Sequence, residues 1–281
     1  MITGMPRIAI AVHDFSAVIE TFRDKFGMPV IDLSETSVDS LGARLAMCVP
    51  SGGSNIELMS PAVPDAPLSQ SLQGFLDRRG EGLFALMLEA PDPNAEAEDL
   101  IGRGLNVIPL MEGASGRDIH PNSTHGVLIR VYPVNSFTQE DPMNAISADP
   151  PGLSGIKRVI IAVKDLARAR EVYGTKLAMP IDEPTIDINR GVKSSICRPP
   201  SGGLIELVSV EDQSRPFAEA IGDFLKDKRE GMYAVVLQSR NPETAEIALK
   251  AKNLEVTSST DLPGLMQVEQ QFGVRFLVEQ G

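Results

Sequence analysis

Positive charge is in short supply. Lys and Arg number 26 against 38 Asp and Glu, giving a formal charge of -12 and a pI near 4.8. A field of that sign repels a phosphate backbone, so nucleic acid is excluded as a partner. Long apolar runs are also missing. No stretch approaches membrane-spanning length, and Met1 to Pro6 lacks the basic segment and apolar core of a secretion signal. A soluble, cytoplasmic protein with no membrane partner is expected. Cysteine is limited to Cys48 and Cys197, which stand at nearly equivalent points of a repeat and read as counterparts rather than disulfide partners. Small core residues in a reducing compartment are expected there. Histidine occurs only as His13, His120 and His125, so imidazole chemistry is confined to the first half.

The repeat organises the rest. Arg7-Ile8-Ala9-Ile10-Ala11-Val12-His13-Asp14 returns as Arg158-Val159-Ile160-Ile161-Ala162-Val163-Lys164-Asp165. Alternation puts branched residues on one face and an Arg followed by small residues on the other, the pattern of a strand with a core side and a cleft side. Asp14 and Asp165 are placed to cap helices with apolar positions Phe15, Val18, Phe22 and Phe26, or Leu166, Ala169, Tyr173 and Leu177. A Pro-Ser-Gly-Gly turn at 50–53 joins two strands into a hairpin, repeated at 200–203. These turns lack the Lys and following helix of a phosphate loop. Each hairpin carries a Glu, Glu57 or Glu206, expected to face the same way as the Arg. A third shared block runs from Phe75 to Leu88 and from Phe224 to Leu237: a short helix, a glycine turn and a strand. Helices opening at Pro93 and Pro242 and closing strands at 126–131 and 273–278 complete each copy. The duplication divides the chain into domains at 1–133 and 155–281, with a Pro-containing linker at 134–154.

These blocks resemble the vicinal oxygen chelate superfamily, the group of glyoxalase I, type I extradiol dioxygenases, bleomycin-resistance proteins and methylmalonyl-CoA epimerase. The epimerase branch is the nearest in Arg7 to Asp14, Ile56-Glu57-Leu58, Gly80-Glu81-Gly82-Leu83 and His120 to Leu128. The resemblance implies an α+β fold of two tandem domains, each of two βαβββ modules forming a curved, cleft-bearing mixed sheet with helices outside. It also implies a divalent metal on four strands. Carried over by position, those ligands become Arg7, Glu57, Ala85 and Arg130 in the first copy and Arg158, Glu206, Ala234 and Leu277 in the second. Guanidinium has no lone pair to donate, and Ala and Leu have no donor at all, so no metal and no other cofactor is expected. The additional catalytic carboxylate of the epimerase is also missing, since the corresponding stretches read Asp39-Ser40-Leu41-Gly42 and Ile188-Asn189-Arg190-Gly191.

The residues left at the former metal position suggest an anion site. Arg7 and Arg130 are expected to flank Glu57 and, with Asn55, to bind a carboxylate or other small anion. Glu57, His120 and His125 are the candidate proton-transfer groups. Arg158 and Glu206 read as a structural pair. Three functions compete: a metal-independent isomerase or lyase, a non-catalytic small-molecule-binding protein of the bleomycin-resistance kind, and a degenerate scaffold. The first is favoured, because the His120 to Arg130 segment occurs in only one copy, although a salt-bridged Glu is a weak base. A monomer or homodimer is expected.

Overall fold

The computed structural model describes residues 1–111, 115–137 and 150–281. The first half contains β1 (Gly4–Ala11), α1 (Phe15–Glu20, continued by a π-helical turn at Thr21–Lys25), β2 (Val30–Asp32), α2 (Ser34–Leu41), β3 (Ala43–Cys48) and β4 (Asn55–Pro61). It goes on with α3 (Pro67–Arg79), β5 (Gly82–Ala90), α4 (Pro93–Gly102), β6 (Arg117–Ile119) and β7 (Leu128–Pro133). The second half repeats the plan with β8 (Arg158–Ala162), α5 (Leu166–Arg170, continued at Glu171–Lys176), β9 (Thr185–Asp187), β10 (Val192–Cys197) and β11 (Leu204–Val210). Then come α6 (Pro216–Asp227), β12 (Gly231–Ser239), α7 (Pro242–Ala251), β13 (Val256–Ser258), β14 (Met266–Gln271) and β15 (Val274–Gln280).

Two mixed sheets result, ordered β2-β3-β4-β1-β5-β7-β6 and β13-β14-β15-β12-β8-β11-β10-β9. In each, the first strand of the copy is parallel to the second hairpin strand and antiparallel to the strand that opens the second module. The Asp caps form as expected: Asp14 accepts from the Ala17 N–H and Asp165 from the Arg168 N–H. The polar stretch before β3 holds a helix, α2, whose first turn lies on the Asp32 side chain through the Ser34 N–H. Among the described residues, no helix is long and apolar enough to cross a membrane. Most of the expected linker, 138–149, lies outside the described residues.

One face of both sheets feeds a single core. Ile8, Ile10, Leu58, Leu86 and Val131 of the first sheet share it with Val159, Ile161, Leu207, Leu237 and Val278 of the second. Phe22 and Phe26 from the end of α1 meet Phe276 of β15 edge to face, with ring centroids 5.8 and 5.3 Å apart. Tyr173, fully buried, donates its hydroxyl to the Thr124 carbonyl at 3.2 Å. Each half therefore closes its core with aromatics of the other. Cys48 and Cys197 are both buried and free; burial pushes the Cys197 thiol up to about 12.

Backbone contacts lock the junction. Ser54 and Ile156 exchange two hydrogen bonds of 2.8 Å, and the Met5 N–H donates to the Ser201 carbonyl at 2.9 Å, so both Pro-Ser-Gly-Gly turns are junction elements as well as hairpin turns. Gly126 and Gly273 hold matching places at positive φ. A Cβ on Gly126 would stand 2.0 Å from the Glu230 carbonyl oxygen, and one on Gly273 would stand 1.8 Å from that of Glu81.

The face carrying Arg7 is covered locally. In the first half Leu68, Leu72 and Leu76 of α3 are buried with Ala9, Ala11, Ala85 and Met59. In the second half Phe217 and Ile221 of α6 do the same over Ile160, Ala162 and Ala234. The small residues of β1, on the side read from the sequence as a cleft, are instead the seat of a helix. Each buried leucine contributes roughly 1.5–3 kcal/mol to holding it there.

Candidate functional site

Arg7 and Glu57 face the same way from adjacent parallel strands, as the alternation of each strand requires. Arg7 Nε lies 3.1 Å from Glu57 Oε2, and both residues are about 5% exposed. The remaining guanidinium surface is also occupied: Nη1 donates to Ser136 Oγ at 3.3 Å, and the group lies 4.3 Å above the Tyr132 ring. Asn55 opens β4 in register with Arg7 and is half-buried.

Arg130 does not flank Glu57. It lies on β7, beyond Met87 of β5, and forms a two-pronged pair with Asp118 of β6, one prong being Nη2 to Oδ2 at 2.6 Å. Burial works against its charge, but the hydrogen bonds and negative charge of Asp118, helped by Tyr132, hold the guanidinium well above its ordinary range. Asp118 and Tyr132 are the partners that sequence reasoning missed. Tyr132 was findable, two residues beyond Arg130 and hence on the same face. Asp118 sits on a strand of three residues, too short for a period to show.

The second half repeats the arrangement. Glu206 lies between two guanidiniums, Arg158 Nε at 3.2 Å and Arg190 Nη1 at 2.7 Å. The first contact is an ion pair by distance without hydrogen-bond alignment, since Arg158 Nε and Glu206 Oε2 both lack a hydrogen-bond partner. Arg158 also reaches Glu279 at 3.4 Å, and Arg190 lies 4.4 Å over Phe217. Arg275 turns toward Tyr233 and Asp261, giving Asp261 Oδ2 a hydrogen bond of 2.8 Å. Burial raises the Asp261 carboxyl, but Arg275 and Ser259 outweigh it, and the group titrates below its usual range.

Neither set fits a divalent ion. The side chains at the four strand positions are Arg, Glu, Ala and Arg, or Arg, Glu, Ala and Leu, and each Glu is already neutralised by guanidinium. Among the described residues, no group of three or more His, Cys, Asp and Glu side chains could hold a metal. Asp39 is exposed on α2.

His120 and His125 come together elsewhere, in a cavity of about 770 Å³ between the halves, where Glu57 is not a lining residue. Its apolar wall is Phe75, Leu83, Phe84, Ile108, Leu128 and Met232. Arg78, Arg79, Lys164 and Arg229 also line it, against one carboxylate among the described residues, Glu230. His125 Nδ1 lies 3.0 Å from Glu230 Oε1, which also accepts the Lys164 N–H at 2.7 Å. Burial raises the Glu230 carboxyl, but the His125 and Lys164 hydrogen bonds win and leave it below the usual carboxylate range. Part of this is a fold requirement, since Glu81 accepts the His13 N–H in the same way at 2.8 Å. His13 itself is exposed.

With this geometry in place, the relatives can be compared. Residues 7–120 match the Glyoxalase/Bleomycin resistance protein/Dioxygenase superfamily. A mutant of 4-hydroxymandelate synthase from Streptomyces coelicolor overlays the whole chain and 94% of its own, with a TM-score of 0.70 at 12% identity. The first copy thus resembles that superfamily over residues 7–120, and the whole chain shares the fold of the synthase. A fusion of a xylose isomerase-like TIM barrel with 4-hydroxyphenylpyruvate dioxygenase matches 99% of this chain with 48% of its own, at 16% identity and TM-score 0.60. Methylmalonyl-CoA epimerase from Mycobacterium tuberculosis matches 47% of this chain and 89% of its own, at 29% identity and TM-score 0.39. No curated protein matches. Both sheets thus carry ion pairs where the superfamily resemblance implies metal ligands.

Proposed function

We propose that the protein binds a small organic anion without a metal, and that its role is binding rather than turnover at Glu57. One observation carries this reading: the Glu at the ligand position of each sheet is buried against guanidinium, which leaves neither a donor set nor a free base. The ligand enters the cavity between the halves, where an apolar wall meets the cations Arg78, Arg79, Lys164 and Arg229. Metal analysis of protein purified without supplements, paired with a thermal-shift screen of divalent ions, carboxylates and aromatic acids, tests it. Substoichiometric metal and stabilisation by anions are expected. Stoichiometric zinc, iron, manganese, cobalt or nickel would sink the proposal.

A second reading, an isomerase or lyase, is favoured by the His125–Glu230 contact. A carboxylate at Nδ1 holds the proton there and leaves Nε2 as the base of a residue that lines a ligand-sized cavity. His125→Gln separates the two readings: the binder keeps its ligand affinity, whereas the enzyme loses turnover with KM little changed.

A further inference from the structure

We propose that the cavity between the halves takes an organic phosphate, its charged end held by Arg78, Lys164 and Arg229 and its apolar body against Phe75, Phe84 and Leu128. This rests on the small-anion reading above and names the ligand class. The cations come from three places: the last turn of α3, the end of β8, and the turn before β12 in the other half. Among the described residues none of the three forms an ion pair, in a chain that carries an excess of carboxylates. Glu230, the one carboxylate lining the cavity among the described residues, is engaged by His125 and the Lys164 N–H. Arg79 is partly committed to the junction, donating to the Lys228 carbonyl at 2.9 Å while Lys228 Nζ returns a bond of 3.1 Å to the Arg79 carbonyl. Burial, followed by the charges of Arg229 and Arg78, pulls Arg79 below its ordinary value.

The bland account is that basic residues suit a helix C-terminus. It covers Arg78 and Arg79 but not Lys164 and Arg229, which the other half supplies. The duplication provides an internal control. The corresponding cavity of about 640 Å³ in the second copy has two cations, Lys228 and Arg275, against three carboxylates, Glu219, Asp223 and Asp261. The fold therefore does not demand a basic lining. Position by position, Arg78 stands where the second copy has Asp227, and Lys164 where the first copy has His13. Arg229 is the most telling. It adopts φ +64, while its counterpart Gly80 adopts φ +75. An Arg held in a conformation that favours glycine, at the mouth of a cavity, is kept there at a cost to the backbone. Two or more cations on one side of an apolar pocket match a dianionic head better than a single carboxylate.

Calorimetric titration of the full chain with phenyl phosphate, inorganic phosphate and benzoate, beside Arg229→Gly and Arg78→Asp, tests this. Phenyl phosphate should bind saturably and more weakly as salt rises, with benzoate about tenfold weaker or worse. Arg229→Gly should lose about tenfold in phenyl phosphate affinity while the ligand-free protein melts higher, because glycine suits that φ. Arg78→Asp, which installs the charge of the second copy, should lose at least as much. Unchanged phenyl phosphate affinity in Arg229→Gly, or no saturable binding of either phosphate, overturns the proposal. Benzoate binding as tightly as phenyl phosphate also overturns it but leaves the small-anion reading standing; if no anion binds, both fall.

Discussion

Arg7 and Glu57 show how a buried carboxylate is held by a guanidinium group. The sheet keeps an opposite charge beside Glu57, and the interaction becomes fixed, with one guanidinium satisfied by a carboxylate, a hydroxyl and an aromatic face. Removing one partner strands the other charge in a dry site. Glu57→Gln and Arg7→Met should each destabilise the protein by about 3–5 kcal/mol, whereas Arg7→Met with Glu57→Leu should recover most of that loss. Urea denaturation of the three variants measures it; single variants as stable as wild type would show that the pair does not hold the sheet. Arg130 and Asp118 form a separate pair, and their mutations should add to those of Arg7 and Glu57 rather than couple with them.

At the level of elements, α3 decides where a ligand can go. Its leucines fill the ground over Ala9, Ala11 and Ala85, leaving the open volume at its C-terminal end, beside His120 and His125. Leu72→Ala should destabilise by roughly 2–5 kcal/mol, read from the denaturation midpoint. The turn glycines carry a different load. Gly273→Ala places a methyl group against the Glu81 carbonyl and forces a positive φ on alanine, so a loss of about 3 kcal/mol or more is expected. Gly80→Ala, also at positive φ but with nothing near the added carbon, should cost about 1–3 kcal/mol, from the backbone conformation alone.

For the whole molecule, the shared core makes the duplication one cooperative unit. Phe22, Phe26 and Phe276 pack across the halves, and Tyr173 bonds into the opposite one, so calorimetry should record one unfolding transition. Two resolved transitions would show that the halves melt independently. Acid should weaken the junction through Glu230. Its carboxyl is depressed in the folded state, so its contribution is complete above the unfolded glutamate value of about 4.3 and is lost as pH falls below it. Glu230→Gln should therefore melt below wild type at neutral pH and converge on it as the pH drops through that range. A gap of constant size would remove the titration account.

The repeat, the strand and helix pattern, the Asp caps and the shared orientation of Arg7 and Glu57 were all legible in the amino-acid sequence. Each depends on a local period of two or 3.6 residues, or on a cap within one turn. The residue types at the aligned strand positions were legible as well, because the repeat itself aligns them. The partner of Arg130 was not, since Asp118 reaches it only through the pairing of β6 with β7. Nor was the burial of the alanine face, because the packing of α3 depends on the space beside a strand and not on its own period. The basic cavity is the clearest case: Arg78, Lys164 and Arg229 lie far apart in the chain, and it is the closing of one core by aromatics of both halves that brings them to the same wall.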